Sequence, residues 1–362
     1  MKRIEDIDHH FKINADIPRD YRFFDPRQEP MQLYGLAPND QGSYCRLPLD
    51  FLKECNDGVK VLAWHLAGAC VRFSTDAQGL AVIWSLKDKG NMPHFTACGQ
   101  SGLELFEESD EGVFQIKNFI PAMDTGSCGC ALNQSAFTPL PGGLRHYVLY
   151  FPLYNGLDEL MLGFPPDARV EKGRTPRIEK PIVFYGSSIT QGGCAAKVGS
   201  CYTTLLCRRL DAAQINLGFS GSGRGEENMA RYIASLDMSA FVLDYDHNAP
   251  TVEHLEKTHY PLYKRFRKAH PDTPIIFVSK PDFNPKSKDD IRRREVIIET
   301  FNLAVNSGDE NVYFVDGSHL FDGEMRDSCT VDGCHPNDLG FYRMARGIGE
   351  AVKTVLEKND NI

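Results

Sequence analysis

The sequence has no apolar run long enough to cross a membrane, and Met1 to Arg22 is polar and charged, without the apolar core of a secretory leader. These absences predict a cytoplasmic chain with no membrane partner. Basic residues are not in surplus either: 40 Lys and Arg stand against 49 Asp and Glu, for a net charge of −9. General nucleic-acid binders need clustered Lys and Arg to displace counterions from phosphate, so no nucleic-acid partner is expected. The basic runs at 264–268 and 292–294 fall in helix-like stretches and read as solvated faces. No low-complexity tract interrupts the 362 residues, of which 42% are hydrophobic and 25% charged, the composition of a folded protein with room for two domains.

The 11 cysteines lack regular spacing, and a chain of this size needs no disulfide staples, so reduced thiols are expected. Neither Cys128 with Cys130 nor Cys329 with Cys334 supplies the paired CxxC or CxxH halves of a structural zinc site. No metal or other cofactor is therefore expected. A Walker A run is also missing. The glycines at 218, 221, 223 and 225 do not complete G-x-G-x-x-G, because Glu226 stands where the third glycine belongs and its carboxylate would repel a phosphate.

Two rhythms divide what is there. From Gln32 to Gly163, short runs rich in Val, Phe, Tyr and Leu alternate with Gly, Asp, Asn and Pro. Strands are predicted at Val59 to His65, Ala69 to Thr75, Leu80 to Leu86, Val113 to Ile120, His146 to Leu153 and Leu157 to Phe164. Short strands with no long helix between them imply an antiparallel, jelly-roll-like sandwich. The Pro-rich stretch after Phe164 reads as a linker. Beyond it, apolar runs at 181–185, 214–217, 241–244, 274–278 and 312–315 alternate with segments of helical length, the pattern of βαβ units and a parallel sheet. The division expected is an N-terminal extension (1–31), a sandwich (32–164), a linker (165–180) and an α/β domain (181–362).

In open parallel sheets, ligands bind beyond the carboxyl ends of the strands. There the chain places Gly186-Ser187-Ser188-Ile189-Thr190, then Phe219-Ser220-Gly221, then Asp246-His247-Asn248, and finally Asp332-Gly333-Cys334-His335. Each cluster alone is ordinary, since a serine after a strand commonly caps a helix. Together they supply what acyl transfer needs: a Ser nucleophile, a His to take its proton, an Asp to hold the His, and donors for an oxyanion.

These four blocks resemble those of the SGNH hydrolases, the GDSL-like lipase/acylhydrolase superfamily, over roughly Pro181 to Val355. Ser187 replaces the usual Asp of the first block. The resemblance implies a three-layer αβα, flavodoxin-like domain and assigns Ser188 as nucleophile, His335 as base and Asp332 as its carboxylate. It places the oxyanion hole at the Ser188 and Gly221 backbone N–H groups and the Asn248 amide. Gly221 is expected to be glycine so that no Cβ blocks the oxyanion and so that the loop can take the conformations it demands, and Asp at 248 would bring a second negative charge to the oxyanion. In the first half, Gly102-Leu103-Glu104-Leu105-Phe106 resembles a G-x-D-L-Y motif, with Glu104 and Phe106 replacing Asp and Tyr, and Pro152 to Gly156 resembles the last strands of the sandwich that precedes one bacterial branch of these enzymes.

That branch implies a carboxylic ester hydrolase of the acetylesterase type, acting on a small acylated, foremost acetylated, saccharide. A short-chain lipase or thioesterase with the same machinery, and a non-catalytic carbohydrate-binding protein on the same fold, are the alternatives. Trp64, Trp84, Phe95 and Tyr154 read as core before sugar platforms, and Cys194, Cys201 and Cys207 as buried thiols. Cys334 has no base of its own. Asp246, His247 and Arg224 fit a pocket lining and plain packing equally well. The sequence leaves open the acyl group, the alcohol, the sandwich's role, homo-oligomerisation, and the roles of Cys128, Cys130 and Cys334.

Overall fold

The computed structural model describes residues 7–8, 17–38, 41–124, 126–281 and 287–358; much of the stretch read as an N-terminal extension lies outside the described residues. The first half contains β1 (Arg22–Phe24), β2 (Gln32–Tyr34), α1 (Asp57–Leu62), β3 (Cys70–Thr75), β4 (Gly79–Leu86) and α2 (Ala97–Ser101). It continues with β5 (Leu103–Ser109), β6 (Gly112–Phe119), β7 (Asn133–Pro139), β8 (Arg145–Tyr150), β9 (Leu157–Phe164) and β10 (Val170–Lys172). Two antiparallel sheets form, one in the order β1-β9-β4-β7 and one in the order β10-β3-β8-β5-β6 with β2 beside β3. Strand β1 lies within the segment read as an extension, and β10 within the segment read as a linker. Each is hydrogen-bonded into a sandwich sheet, β1 to β9 and β10 to β3.

Successive side chains on a strand face opposite ways, and this sorts the larger sheet cleanly. Val71, Phe73, Tyr147 and Leu149 point into the sandwich core, while Cys70, Val148 and Tyr150 point outward. The outward set is buried too, because it packs on the second half of the chain. β3 is consequently buried along its whole length. The motif residue Glu104, wholly buried on β5, accepts the Gly199 N–H (2.8 Å) and pairs with Lys197 (2.9 Å). Phe106, two residues on, lies under the Arg208 guanidinium at 4.3 Å. The G-x-D-L-Y-like segment thus fastens the sandwich to the other half.

The predicted strand at Val59 to His65 is an error of period. Asn56 caps α1 by accepting the Val59 N–H (2.9 Å), and the buried pair is Val59 and Ala63, four residues apart, while Val61 stays exposed. Val59, Val61 and Ala63 merely alternate as a strand would. This segment packs on the second half, beside Phe219 and Tyr245.

The second half comprises β11 (Ile178–Gly186), α3 (Ser188–Gln191), α4 (Tyr202–Leu210), β12 (Ala212–Gly218), α5 (Glu227–Ile233), β13 (Ala240–Asp244), α6 (Val252–Ala269), β14 (Ile275–Val278), α7 (Lys288–Asn306), β15 (Val312–Val315) and α8 (Asp338–Lys358). All strand pairs are parallel, in the order β12-β11-β13-β14-β15. α4 and α8 pack on one face of the sheet and α5, α6 and α7 on the other, giving the expected three layers. β11 is flanked by β12 and β13, so the chain winds first one way and then the other from it. In open α/β sheets such a switch point, at the strands' carboxyl ends, is where ligands bind.

Candidate active site

Ser188 is the first residue of α3, immediately past β11. The turn is set by Ser187, whose Oγ accepts the Ile189 N–H (3.1 Å) while Thr190 Oγ1 accepts the Ser187 N–H (3.1 Å), a reciprocal cap. As the opening residue of a helix, Ser188 has no intrahelical acceptor for its N–H. Ser188 Oγ lies 2.9 Å from His335 Nε2, and His335 Nδ1 lies 2.7 Å from Asp332 Oδ2. Asp332 Oδ1 also accepts the backbone N–H groups of His335 (2.7 Å) and Cys334 (3.0 Å). Burial acts to raise the Asp332 carboxyl, but the His335 ring and these N–H donors outweigh it and hold the group at about 2. An ionised carboxylate only accepts, so His335 Nδ1 carries the proton, Nε2 of the neutral ring is an acceptor, and the Ser188 hydroxyl donates to it.

The other expected donors come from the neighbouring strands. Gly221 follows β12 with φ +63°, and a Cβ built there meets no atom within 4 Å. This left-handed backbone is the conformational reason for glycine anticipated from the sequence. Asn248 follows β13; its Nδ2 donates one hydrogen to Phe219 O (2.9 Å), which leaves the second amide hydrogen for another acceptor. Ser188, Gly221 and Asn248 therefore come from three adjacent strand ends, and the loop after β15 brings Asp332 and His335 to the same edge.

Several site-supporting residues were left ambiguous by the sequence or given no site role there. His247 Nε2 lies 2.7 Å from Ser187 Oγ, and His247 Nδ1 lies 2.9 Å from Asp246 Oδ1, so two of the three residues left ambiguous above form, with Ser187, a second Ser-His-Asp chain. Asp246 further accepts the Lys280 N–H (3.0 Å). Although burial acts to raise the Asp246 carboxyl, the His247 ring and these N–H donors pull it below its ordinary value. The first half contributes as well: Tyr154 OH donates to Ser188 O (3.1 Å), and Gln191 bridges Leu153 O (3.1 Å) to the Ser220 N–H (3.0 Å). Arg46, fully buried, donates to the carbonyls of Asn216 (2.7 Å) and Gly218 (2.9 Å) at the end of β12, and its guanidinium lies 4.6 Å over Phe219. Burial lowers Arg46 to about 9, still charged at neutral pH.

Trp84, Phe95 and Tyr154 are core side chains. Cys194, Cys201 and Cys207 are buried, and burial foremost raises the Cys194 thiol to about 11. No disulfide forms among the described residues. No helix among them is long and apolar enough to cross a membrane.

Comparison with known proteins identifies both halves of the fold. The profile of the GDSL-like lipase/acylhydrolase family matches residues 179–353, and that of the N-terminus of SGNH-hydrolase-type esterases matches residues 21–170. No curated protein matches the sequence. Among solved structures, a protein described as a GDSL-like lipase from Bacteroides ovatus is 29% identical, with a TM-score of 0.83 over 93% of this chain and 98% of that one. A salicylyl-acyltransferase from a tetracycline biosynthetic pathway is 21% identical, with a TM-score of 0.73 over 94% and 99%. An acetyl xylan esterase from the rumen bacterium Butyrivibrio proteoclasticus shares the fold at 13% identity, with a TM-score of 0.55 over 94% and 99%. Residues 179–353 thus form a GDSL-like lipase/acylhydrolase domain and residues 21–170 the N-terminal domain of SGNH-hydrolase-type esterases, which together make the protein a carboxylic ester hydrolase.

Proposed function

We propose that the protein is a serine esterase that removes short acyl groups, foremost O-acetyl, from a small saccharide. The observation that carries this reading is the unbroken relay from Ser188 through His335 to Asp332 beside the strand ends that hold Gly221 and Asn248. In this mechanism Ser188 Oγ attacks the ester carbonyl carbon as its proton passes to His335 Nε2. Asp332 keeps the other ring nitrogen protonated and stabilises the imidazolium. The oxyanion is met by the N–H groups of Ser188 and Gly221 and the free amide hydrogen of Asn248, each such donor lowering the barrier by about 3 kcal/mol. Collapse of the intermediate expels the alcohol, which takes the proton from His335. Water, activated by the same histidine, then releases the acid from Ser188.

The saccharide part of the proposal is supported by the fold shared with an acetyl xylan esterase. It is tested by acetate release from a panel of acetylated sugars, beside p-nitrophenyl esters of increasing chain length, with wild type and Ser188→Ala. Ser188-dependent release falling steeply beyond acetyl is expected. A preference for long acyl chains would replace the saccharide reading with a lipase, and no release by a folded wild type would overturn the esterase itself.

A further inference from the structure

The loop between β4 and α2 brings a residue of the first half, His94, to the candidate active site. Its exposed ring lies 6.2 Å from the His335 ring, centroid to centroid, the two planes inclined by 54°. Both nitrogens of His335 are engaged, Nδ1 with Asp332 and Nε2 with Ser188, so His94 stands beside the relay and not in it. We propose that His94 is a specificity-determining residue that contacts the alcohol portion of the ester, selecting alcohols that carry further hydroxyl groups.

The loop is firmly seated. Phe95 is buried edge-on against Tyr154, ring centroids 5.2 Å apart. Thr96 caps α2 by accepting the Gly99 N–H (3.0 Å), and its hydroxyl donates to Ala196 O (2.6 Å). Gly99 sits so close to the segment after α3 that a Cβ there would lie 2.0 Å from Ala195 O; only glycine allows the approach. The Ala196 N–H in turn donates to Asp338 (2.8 Å), three residues past His335. One segment, 194–196, thus ties the sandwich loop to both the Ser188 turn and the start of α8. His94 is consequently held at a fixed offset from His335, which is what positioning a substrate requires.

The direction of catalysis identifies what His94 would meet. This step rests on the esterase reading above. His335 Nε2 protonates the departing oxygen, so the alcohol leaves past the His335 ring, whereas the acyl carbonyl points to Gly221 and Asn248. A group beside His335 therefore faces the alcohol. An imidazole offers one donor and one acceptor in its neutral form, which suits a polyhydroxylated alcohol; a nitrophenyl ester carries no further hydroxyl group to engage both.

The test compares kcat/KM on an acetylated monosaccharide with kcat/KM on p-nitrophenyl acetate, for wild type, His94→Ala and His94→Gln. The ratio of the two should fall roughly tenfold in His94→Ala, the size of one lost hydrogen bond, through a raised KM for the sugar ester, and recover in part in His94→Gln. An unchanged ratio in a wild type active on both esters would overturn the assignment of His94 alone. A folded wild type inactive on both would overturn the esterase reading and this inference with it.

Discussion

Two serines stand side by side at the end of β11, and each is joined to a histidine and an aspartate. Ser188 lies 2.9 Å from His335, which lies 2.7 Å from Asp332; Ser187 lies 2.7 Å from His247, which lies 2.9 Å from Asp246. The distances do not separate them, but accessibility does. The side chains of His335 and Asp332 are 26% and 37% exposed, against 12% and 3% for His247 and Asp246, and Ser187 is wholly buried. Ser187 Oγ is also committed to capping α3. The same three groups can therefore serve either as a relay open to an ester or as a brace: the buried set links the turn that carries Ser188 to the loop that carries Asn248. A hydrogen-bonded Ser-His-Asp chain is a site only where a substrate can reach it.

The comparison breaks most sharply at the two carboxylates. Asp332→Asn should lower kcat by about 10³- to 10⁴-fold, because the amide no longer enforces the tautomer that leaves Nε2 free to accept, while the melting temperature hardly moves. Asp246→Asn should do the reverse, costing about 1–3 kcal/mol of stability as a buried acceptor is lost and sparing most of the activity. Denaturant titration and ester hydrolysis on both variants check this; equal activity losses would erase the distinction.

Asn248→Asp tests what the brace holds in place. A carboxylate there both loses the amide donor and faces the oxyanion with like charge, so kcat should fall by about 10²- to 10³-fold with KM little changed. A fall confined to KM would remove Asn248 from the oxyanion hole.

The smallest effect concerns the floor beneath both chains. Asp244, at the end of β13, is fully buried and accepts the hydroxyls of Thr190 and Tyr202, the latter at 2.7 Å. Burial raises its carboxyl to about 6, against these hydrogen bonds. Because its folded value lies above its unfolded value of 3.8, Asp244 contributes stability that is complete below pH 3.8 and lost as the pH rises through about 6. Asp244→Asn should flatten the part of the stability profile between pH 4 and 6; a profile that superimposes on wild type would contradict the assignment.

Much of the second half was legible because its signals are local. Buried parallel strands read as continuous apolar runs, and the residues at their ends follow within a few positions: Ser188 after β11, Gly221 after β12, Asn248 after β13. What was illegible depends on contacts distant in sequence. Nothing near His94 announces that its loop lies against His335, and Arg46 and Tyr154 are ordinary residues until the fold brings them to Gly218 and Ser188. Asp246 and His247 sat in view but were ambiguous, because only the fold reveals Ser187 as their partner. At Val59 to His65, alternation over a short run could not be told from a helix whose buried face spans only Val59 and Ala63.

The most direct measurement is covalent labelling with a serine-reactive fluorophosphonate, followed by mass mapping of the modified peptide, on wild type, Ser187→Ala and Ser188→Ala. One adduct on Ser188 is expected in wild type and in Ser187→Ala, with none in folded Ser188→Ala; an adduct that persists in Ser188→Ala, or that maps to Ser187, would contradict the account.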